Sequence, residues 1–377
     1  MKVSCLQENL ARGLSLVARA VATRSTLPVL GNVLLATDHG RLRLSATNLE
    51  LGISCWIGAK VDDDGAITAP ARTFVDLVNT LPNDTVNMEL AVRTLTLNVR
   101  CAAFNNDIKC IDAQEFPPFP TVEADAGLTL NVEDLRQMIS QVVLAASTDD
   151  ARPVLTGVLI EVSGNTMTLA AADGFRLSVR TSQLAEKVPG STRAIIPARA
   201  LAELGRILSD GEETVTMTLP PNRGQVIFRS KNVELVSQLI DGTFPDYRSI
   251  IPTSYATRSV LSTSSLLKAC KAADIFAREA AHSARLHITP GTQLEPGKVE
   301  ITATAAETGS NETVVDATVD GAAIDIAFNV RFLVDVLNVI DTPNVALETN
   351  STSSPGVIKP VGRDDFLHVV MPMHLGR

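Results

Sequence analysis

The apolar residues of this chain recur with the spacing of an amphipathic helix in three separate places. Residues three or four positions apart lie on one face of a helix, so such a stripe predicts a helix with one buried side. The three stripes consist of Leu6, Leu10, Leu14, Val17 and Val21, then of Val132, Leu135, Ile139, Val142 and Ala146, and last, less regularly, of Leu266, Cys270, Ala273 and Ala277. Three similar helices are therefore expected.

A second helical pattern follows each of these stripes. Its copies begin at Arg72, Arg199 and Arg331, and each carries an acidic residue four positions later. The apolar positions again have the spacing of a buried helix face. They are Phe74, Leu77, Val78 and Leu81, then Leu201, Leu204, Gly205 and Leu208, and finally Leu333, Val336, Leu337 and Ile340. The sequence thus predicts two helices in each of three repeated units.

Strand patterns and proline-containing segments complete the repeat. Residues 42–47, 167–172 and 299–304 form one recurring pattern, and its first and third copies alternate between apolar and polar residues as in a strand with one buried face. Prolines in residues 116–120 and 244–247 prevent a continuing helix or central strand, which favours linkers there. We therefore predict an α+β fold of three repeated domains, with two helices packed on antiparallel sheets in each, over residues 1–125, 126–254 and 255–377.

Composition narrows the class of protein. Of the 377 residues, 45% are hydrophobic and 20% charged, which favours packed domains over disorder. No long uncharged apolar run is present, which predicts a soluble cytoplasmic protein with no membrane partner. The five cysteines are scattered without a CxxC pair, so we expect buried reduced thiols rather than disulfides or a zinc site. A net charge of −9 restricts any contact with nucleic acid to a local basic surface.

Motifs of enzymatic chemistry are missing from the sequence. It has no GxxxxGK[ST], GxGxxG, HExxH or GxSxG motif, and its five histidines follow no ligand spacing. The acidic run at residues 62–64 lacks the later glutamate of a calcium loop and is more simply a charged turn. We therefore predict no catalytic site, no cofactor and no metal. Two alternatives stay open: a metabolic enzyme or hydrolase built by domain triplication, and a repeat scaffold that never touches nucleic acid.

Several short motifs, in order along the whole chain, closely resemble the β subunit of the bacterial replicative DNA polymerase. They are LPVLGN at residues 27–32, ADGFRL at 172–177, DGTFPDYR at 241–248, FNVR at 328–331 and VVMPM at 369–373. The resemblance implies a DNA sliding clamp, DNA polymerase III beta subunit, in which a head-to-tail homodimer of three-domain chains closes into a ring around duplex DNA. Such a clamp is not an enzyme. A separate ATP-driven clamp loader opens and loads it, and it tethers the replicative polymerase and other clamp-binding proteins.

Contacts with DNA are expected from basic residues on the repeated helices and nearby loops, of which Arg24 and Arg72 match family positions implicated in DNA contact. The alternative is a solvated helix face, or pairing of Arg72, Arg199 and Arg331 with the acid four positions on. The predicted set is Arg12, Arg19, Arg24, Arg72, Arg136, Arg199, Arg206, Lys268, Lys271 and Arg331.

The resemblance also implies a groove between the second and third domains that binds short peptides ending in hydrophobic residues. Apolar walls with a few polar groups suit such an anchor, and methionine suits a surface that accepts several partners. The alternative is an interdomain core with a C-terminal edge strand. The matching positions are Arg152, Leu155, Asp173, Gly174, Phe175, Arg176, Leu177, Pro245, Ile250, Asn329, Phe332, Thr352, Ser354, Val369, Met371, Pro372 and Met373.

This chain departs from the commonest family pattern near that groove. Phe175 stands where many members have histidine, and Ala172 where threonine is usual. Residues 289–297 and 351–365 are rich in proline, glycine and small polar residues, so we expect loops of variable length there. The shape of the groove and its peptide preference are therefore not fixed by the resemblance.

Overall fold

The protein is described here by a computed structural model, which covers residues 1–119, 127–208, 213–220 and 224–374. The chain forms two compact units, one from residues 1–133 and 203–239 and the other from residues 134–202 and 240–377. The second predicted domain therefore contributes residues to both units. Its predicted limit at residue 125, and the linker residue Pro120, lie outside the described residues.

Helices begin and end close to the predicted stripes. They are α1 Gln7–Val17, α2 Ala71–Thr80, α3 Val132–Val143, α4 Ala198–Ile207, α5 Thr263–Ala277 and α6 Val330–Leu337. The predicted first stripe is wrong at its start, because Leu6 ends a strand in extended backbone and is 55% exposed. Within α1 the stripe is confirmed, since Leu10, Leu14 and Val17 are fully buried.

Strands make up most of the remaining structure. They are β1 Lys2–Leu6, β2 Asn32–Asp38, β3 Arg41–Thr47, β4 Leu51–Gly58, β5 Lys60–Asp63, β6 Ala66–Pro70, β7 Thr85–Ala91, β8 Thr96–Cys101, β9 Phe104–Lys109, β10 Leu128–Asn131, β11 Gly157–Ala172, β12 Arg176–Pro197, β13 Thr214–Thr218, β14 Gln225–Arg229, β15 Val233–Gln238, β16 Thr257–Ser262, β17 Ser283–Thr289, β18 Gly297–Ala305, β19 Gly309–Gly321, β20 Ile324–Asn329, β21 Asn344–Thr349, β22 Gly356–Pro360, β23 Phe366–Val370 and β24 Pro372–Met373.

The first unit contains two antiparallel sheets. One has the strand order β5-β1-β7-β8-β9, and the other has the order β10-β13-β14-β15-β4-β3-β2-β6. Helix α1 lies close to β3 and β4, because a Cβ atom added at Gly13 would stand 2.8 Å from Leu44 and 3.1 Å from Ile57. A larger residue at this helix position would have to displace the Leu44 side chain.

The second unit is built on one sheet of eleven antiparallel strands, in the order β11-β12-β23-β22-β21-β16-β19-β18-β17-β20-β24. Its main core lies beneath α5 and α6, where Leu266, Cys270, Leu333 and Val336 are buried against the sheet. A second cluster of buried side chains covers the neighbouring part of the sheet around Leu177. The fold is thus the predicted combination of helices packed on antiparallel strands.

Two segments differ from their sequence-based description. Residues 244–247 do lie outside the sheet, but Phe244 and Tyr247 are buried against it rather than solvated as in an open linker. The expected loop at residues 351–365 contains strand β22, whose Val357 and Ile358 are buried and pair with β23. A glycine begins β22 and a proline ends it. These residues also favour a loop, so the sequence did not predict the strand between them.

The cysteines, the lengths of the helices and the potential metal ligands give further features of the fold. All five cysteines lie within the described residues and are free thiols, and burial raises the pKa of Cys5, Cys55 and Cys270 to about 12. Among the described residues, no helix is both long and apolar enough to cross a membrane. No group of three or more potential metal ligands is found in those residues either.

A candidate peptide-binding pocket and a basic surface

The turn between β11 and β12 begins the candidate pocket. The Asp173 side chain shapes this turn, since its Oδ1 accepts hydrogen bonds from the backbone amides of Phe175 at 2.8 Å and Arg176 at 3.0 Å. Gly174 has φ +95°, a conformation in which side-chain-bearing residues are strained. The turn leaves the Phe175 ring 62% exposed beside the pocket.

Arg176 is the best-held polar residue of the group. Its Nε donates to Asp173 Oδ2 at 3.0 Å, and its Nη1 donates to Asp335 Oδ2 at 2.7 Å. Its guanidinium also stacks on the Phe332 ring, 4.2 Å from the ring centroid. These contacts join β12 to α6, and they leave only 12% of the side chain exposed. Held by these contacts, the guanidinium has little freedom to move.

Apolar residues form the neighbouring surface. Leu177 on β12 pairs with Val369 on β23, and both are buried in the cluster that includes Phe244 and Tyr247. Val154, partly buried, packs against this cluster. Two of the predicted pocket residues are exposed apolar side chains, Ile250 at 41% and Met371 at 38%. These side chains are available for contact with another molecule.

The C-terminal strands carry several of the predicted pocket residues. The Met371 amide donates to the Phe175 carbonyl at 2.8 Å, which ties the end of β23 to the β11–β12 turn. Pro372 and Met373, in β24, pair with Phe328 and Ala327 of β20. Met371 is therefore held at its backbone while its side chain is partly free.

The segment that carries Pro245 and Ile250 is held by a polar network. Tyr247 donates from its hydroxyl to Glu161 Oε2 at 3.0 Å, and Arg248 donates to the same oxygen at 2.6 Å. Burial, with a further effect from the Glu161 hydrogen bond, raises the pKa of Tyr247 to about 12. Tyr247 accordingly remains a donor, and the segment keeps its position on the sheet.

The remaining predicted pocket residues lie around this centre. Arg152 donates to the Asp173 carbonyl at 3.3 Å, and Leu155 follows in a short 3-10 turn. Asn329 caps α6, because its Oδ1 accepts from the Arg331 amide at 3.1 Å. Thr352 and Ser354 lie in the turn that precedes β22, whose Val357 pairs with Val369.

Sequence inspection missed a buried polar pair beneath this pocket. Ser178 on β12 and His368 on β23 are both fully buried, with Ser178 Oγ and His368 Nδ1 2.6 Å apart. The two residues are 190 positions apart in the chain. In the sequence, each residue alternates with apolar neighbours along its strand. That alternation indicates which face of the strand a residue lies on, but it does not show that Ser178 and His368 contact each other.

The predicted DNA-contacting residues lie on helices or in nearby turns. Most are exposed on α1, α2, α4, α5 and α6, Arg19 lies in a 3-10 turn just after α1, Arg24 in the loop that follows, and Arg136 is half-buried on α3. Arg72 is 96% exposed and stands 4.0 Å from Asp76. An ion pair so exposed contributes little to stability.

In the other two repeats, Glu203 and Asp335 bind residues other than the arginine four positions before them. Glu203 accepts from Arg206 at 2.6 Å and from Arg19 at 3.1 Å, rather than serving Arg199. Asp335 is the partner of Arg176 in the pocket. In place of the predicted i+4 pairs, Glu203 binds Arg206 of its own helix as well as Arg19 from outside that helix, and Asp335 binds Arg176 of β12.

Comparison with known proteins agrees with this geometry along the whole chain. Residues 1–120, 129–246 and 248–374 match the N-terminal, central and C-terminal domains of the DNA polymerase III beta subunit. The beta sliding clamp of Synechococcus elongatus is 34% identical over the full length of both chains, and that of Staphylococcus aureus is 31% identical over 94% of each.

Solved structures give the same result. The Bacillus subtilis DNA polymerase sliding clamp superimposes over all of both chains with a TM-score of 0.93 at 26% identity. A Pseudomonas aeruginosa sliding clamp bound to griselimycin superimposes over all of both chains with a TM-score of 0.91 at 29% identity.

Three clamp domains of mixed helix and sheet define the class of this protein as a DNA clamp. The chain belongs to the DNA polymerase III beta subunit family, the sliding clamps of bacterial replication. Its function is that of a processivity factor, and it is not a catalytic subunit. The alternatives of a triplicated enzyme and of a scaffold unrelated to DNA are thereby removed.

Proposed function

We propose that this clamp works as a head-to-tail homodimeric ring around duplex DNA and that the pocket centred on Arg176 binds hydrophobic peptide ends of its partners. Those partners are the clamp loader, the replicative polymerase and other proteins with a clamp-binding segment. The observation that supports the pocket best is the fixed guanidinium of Arg176 beside the exposed side chains of Phe175 and Met371. A cytoplasmic location goes with this role, because bacterial replication takes place there.

The pocket has the composition of a peptide site. Most of the proposed lining residues are apolar, and the half-exposed Arg152 guanidinium offers a hydrogen-bond donor to a peptide backbone. Met371 can adjust its shape to different anchors, because its thioether side chain has several rotatable bonds. Phe175 adds an aromatic face where many family members carry histidine, so we expect a preference for aromatic over polar residues at the contacting position.

Contacts with DNA are proposed for Arg24, Arg72 and the other basic residues of the predicted set. Contacts with phosphates alone are independent of base sequence and weaken with salt, which suits a protein that slides. Arg19 and Arg206 share Glu203, so part of their charge is already neutralised within the protein. We therefore expect larger effects from Arg72 than from Arg19.

The surfaces that join two copies are proposed from exposed apolar residues. A head-to-tail interface needs two different complementary surfaces on each chain. Phe104 is 47% exposed on β9, an edge strand of the first unit, and Ile275 is 57% exposed on α5 of the second unit. An edge strand with an exposed aromatic ring is a ready site for pairing with another chain.

The three domains, with limits near residues 125 and 254, are likewise a proposal that the three matched regions support.

Peptide binding tests the pocket directly. A fluorescein-labelled pentapeptide ending in Leu-Phe is titrated with the full chain, and its anisotropy gives Kd. Met371→Ala, or deletion of residues 371–377, is expected to weaken binding about tenfold, equivalent to 1.4 kcal/mol, and to leave the dimer intact.

Leu294→Ala is the matched control, because Leu294 is 95% exposed in a loop that carries none of the pocket residues. Its Kd should equal that of the parent chain. Unchanged affinity of the Met371 variants would refute the pocket, and equal losses in the control would show a general surface effect.

A further inference from the structure

Five residue pairs join β12 to β23, and they connect the two strands that carry opposite parts of the pocket. On one face of this ladder, Leu177 and Val369 belong to the pocket cluster. On the other face, Ser178 stands opposite His368. Because strand side chains alternate between faces, the pocket pair and the polar pair are adjacent steps of a single register.

The apolar residues of this ladder do not by themselves specify that register. A shift of β23 by two residues keeps every side chain on its own face. A shift one way would place Met371 opposite Leu177 and Val369 opposite Val179, whereas a shift the other way would place Asp365 opposite Val179. Apolar contacts are non-directional, so they distinguish the native register poorly from the first of these two.

The polar pair does distinguish them. In a register shifted by two residues, Ser178 would face Val370 or Phe366, and His368 would face Arg176 or Arg180. Both polar side chains would then lose their 2.6 Å contact while still buried. Leaving a buried polar group without its partner lowers stability, because the group has lost its hydrogen bonds to water and gained none in the protein. The native register is therefore favoured by the polar pair.

Two more polar side chains of the same unit are buried. Arg180, two positions along the same face, is 3% exposed and binds Asp134 and Asp365. Gln141 of α3 is 1% exposed and donates to the Val339 carbonyl at 3.2 Å. Among the described residues, His368 Nε2, Gln141 Oε1 and Arg180 Nε have no hydrogen-bond partner. Buried polar atoms without a partner lower stability, so stability alone does not explain these polar residues.

We propose that the buried Ser178–His368 pair is a register lock that positions the two walls of the peptide pocket. The inference rests on the proposed peptide function of that pocket. Both are positioning residues, because they act through Leu177, Val369 and the Met371 amide that follows on the same strand. Buried polar groups that specify register at a cost in stability are well attested in other folds.

Stability and affinity should therefore separate in one pair of variants. Replacing both partners, as in Ser178→Val with His368→Leu, removes the two buried polar side chains together, and we expect a urea midpoint equal to or above that of the parent. The Kd for the Leu-Phe pentapeptide should rise at least about fivefold, because alternative registers become accessible. A merely structural pair would change the two quantities together.

The matched control is another buried cross-strand pair, Ser45 and Ser54, whose Oγ atoms lie 2.8 Å apart between β3 and β4. Ser45→Val with Ser54→Val should leave the pentapeptide Kd unchanged. Ser178→Thr, which keeps the hydroxyl, should bind like the parent, and Ser178→Ala should bind more weakly. If the Ser178–His368 double variant does not fold, this Ala and Thr comparison decides the question.

Hydrogen exchange reports the lock without any peptide. Amides of residues 366–371 should lose protection in the Ser178–His368 double variant and keep it in the Ser45–Ser54 control. Failure of the parent chain to bind the pentapeptide would count against the proposed function alone. Unchanged protection, or a folded double variant with the parent's Kd, would overturn the register lock.

Discussion

At the scale of single residues, Arg176 shows how a side chain becomes part of a binding surface. Two carboxylates and one aromatic ring hold its guanidinium, and all three contacts depend on the planar shape of that group. A lysine has the same charge but can neither stack in this way nor donate in two fixed directions. The pocket thus depends on the geometry of Arg176 as much as on its charge.

Arg176→Lys should accordingly lower stability by about 1 to 3 kcal/mol, because Asp173 and Asp335 lose directed hydrogen bonds. Pentapeptide affinity should fall with it. Urea unfolding and anisotropy titration measure the two effects. Arg72→Lys is the control, since Arg72 is 96% exposed and its replacement should change neither quantity. Parent-like behaviour of Arg176→Lys would contradict the role given to the guanidinium.

His368 should make the free energy of unfolding depend on pH. Burial, and secondly the positive charge of Arg176, lowers the pKa of His368 from 6.5 to about 3. Below about pH 6.5 the unfolded chain binds a proton on this residue that the folded chain does not. The free energy of unfolding should fall as the pH falls from there towards the folded pKa, by at most about 1.4 kcal/mol per pH unit.

Urea midpoints at neutral and mildly acidic pH measure this effect in the parent chain and in the Ser178→Val, His368→Leu variant. The carboxylates are common to both proteins, so the difference between the two pH slopes isolates the histidine. The parent should lose more stability on acidification than the variant. Equal slopes would show that His368 does not stay neutral in the folded protein.

At the scale of elements, the turn between β11 and β12 determines where the pocket begins. Gly174 has φ +95°, and a Cβ atom added there would stand 3.1 Å from Arg152 Nη1. Gly174→Ala should therefore cost about 1 to 3 kcal/mol of stability and displace both Phe175 and Arg152. Thermal unfolding measures the loss of stability, and pentapeptide titration measures the effect of the displacement on binding.

Gly31→Ala is the control for that substitution, because Gly31 has no positive φ and an added Cβ atom meets nothing within 4 Å. Its melting temperature and Kd should stay close to those of the parent. If Gly174→Ala behaves like this control, the turn is more tolerant than its backbone conformation implies.

The elements also show what the sequence could and could not predict. Helices α1 to α6 were predictable because their buried stripes repeat, and the pocket motifs at residues 172–177 and 369–373 were recognisable from local sequence. Strand β22 was missed because proline and glycine flank a short buried run. The Ser178–His368 contact was missed because pairing across 190 residues depends on tertiary structure, which no local pattern encodes.

At the scale of the whole molecule, the proposed ring requires two copies of the chain. A Phe104→Asp variant places a charge on the proposed edge-strand surface, where its desolvation would oppose association. Light scattering should give twice the 40.1 kDa chain mass for the parent and the single chain mass for the variant. Val92→Asp is the control, because Val92 is 70% exposed outside the strands and should leave the dimer intact.

The proposed ring is retained on DNA by topology, and linearisation of a circular template tests this retention. The labelled clamp is loaded onto a nicked circular plasmid by its loader with ATP, separated from free protein, and the plasmid is then cut at one site. A closed ring should stay on the circle at moderate salt and leave once free ends are present. Equal retention on circular and linear DNA would contradict encirclement and show that direct contacts alone hold the protein.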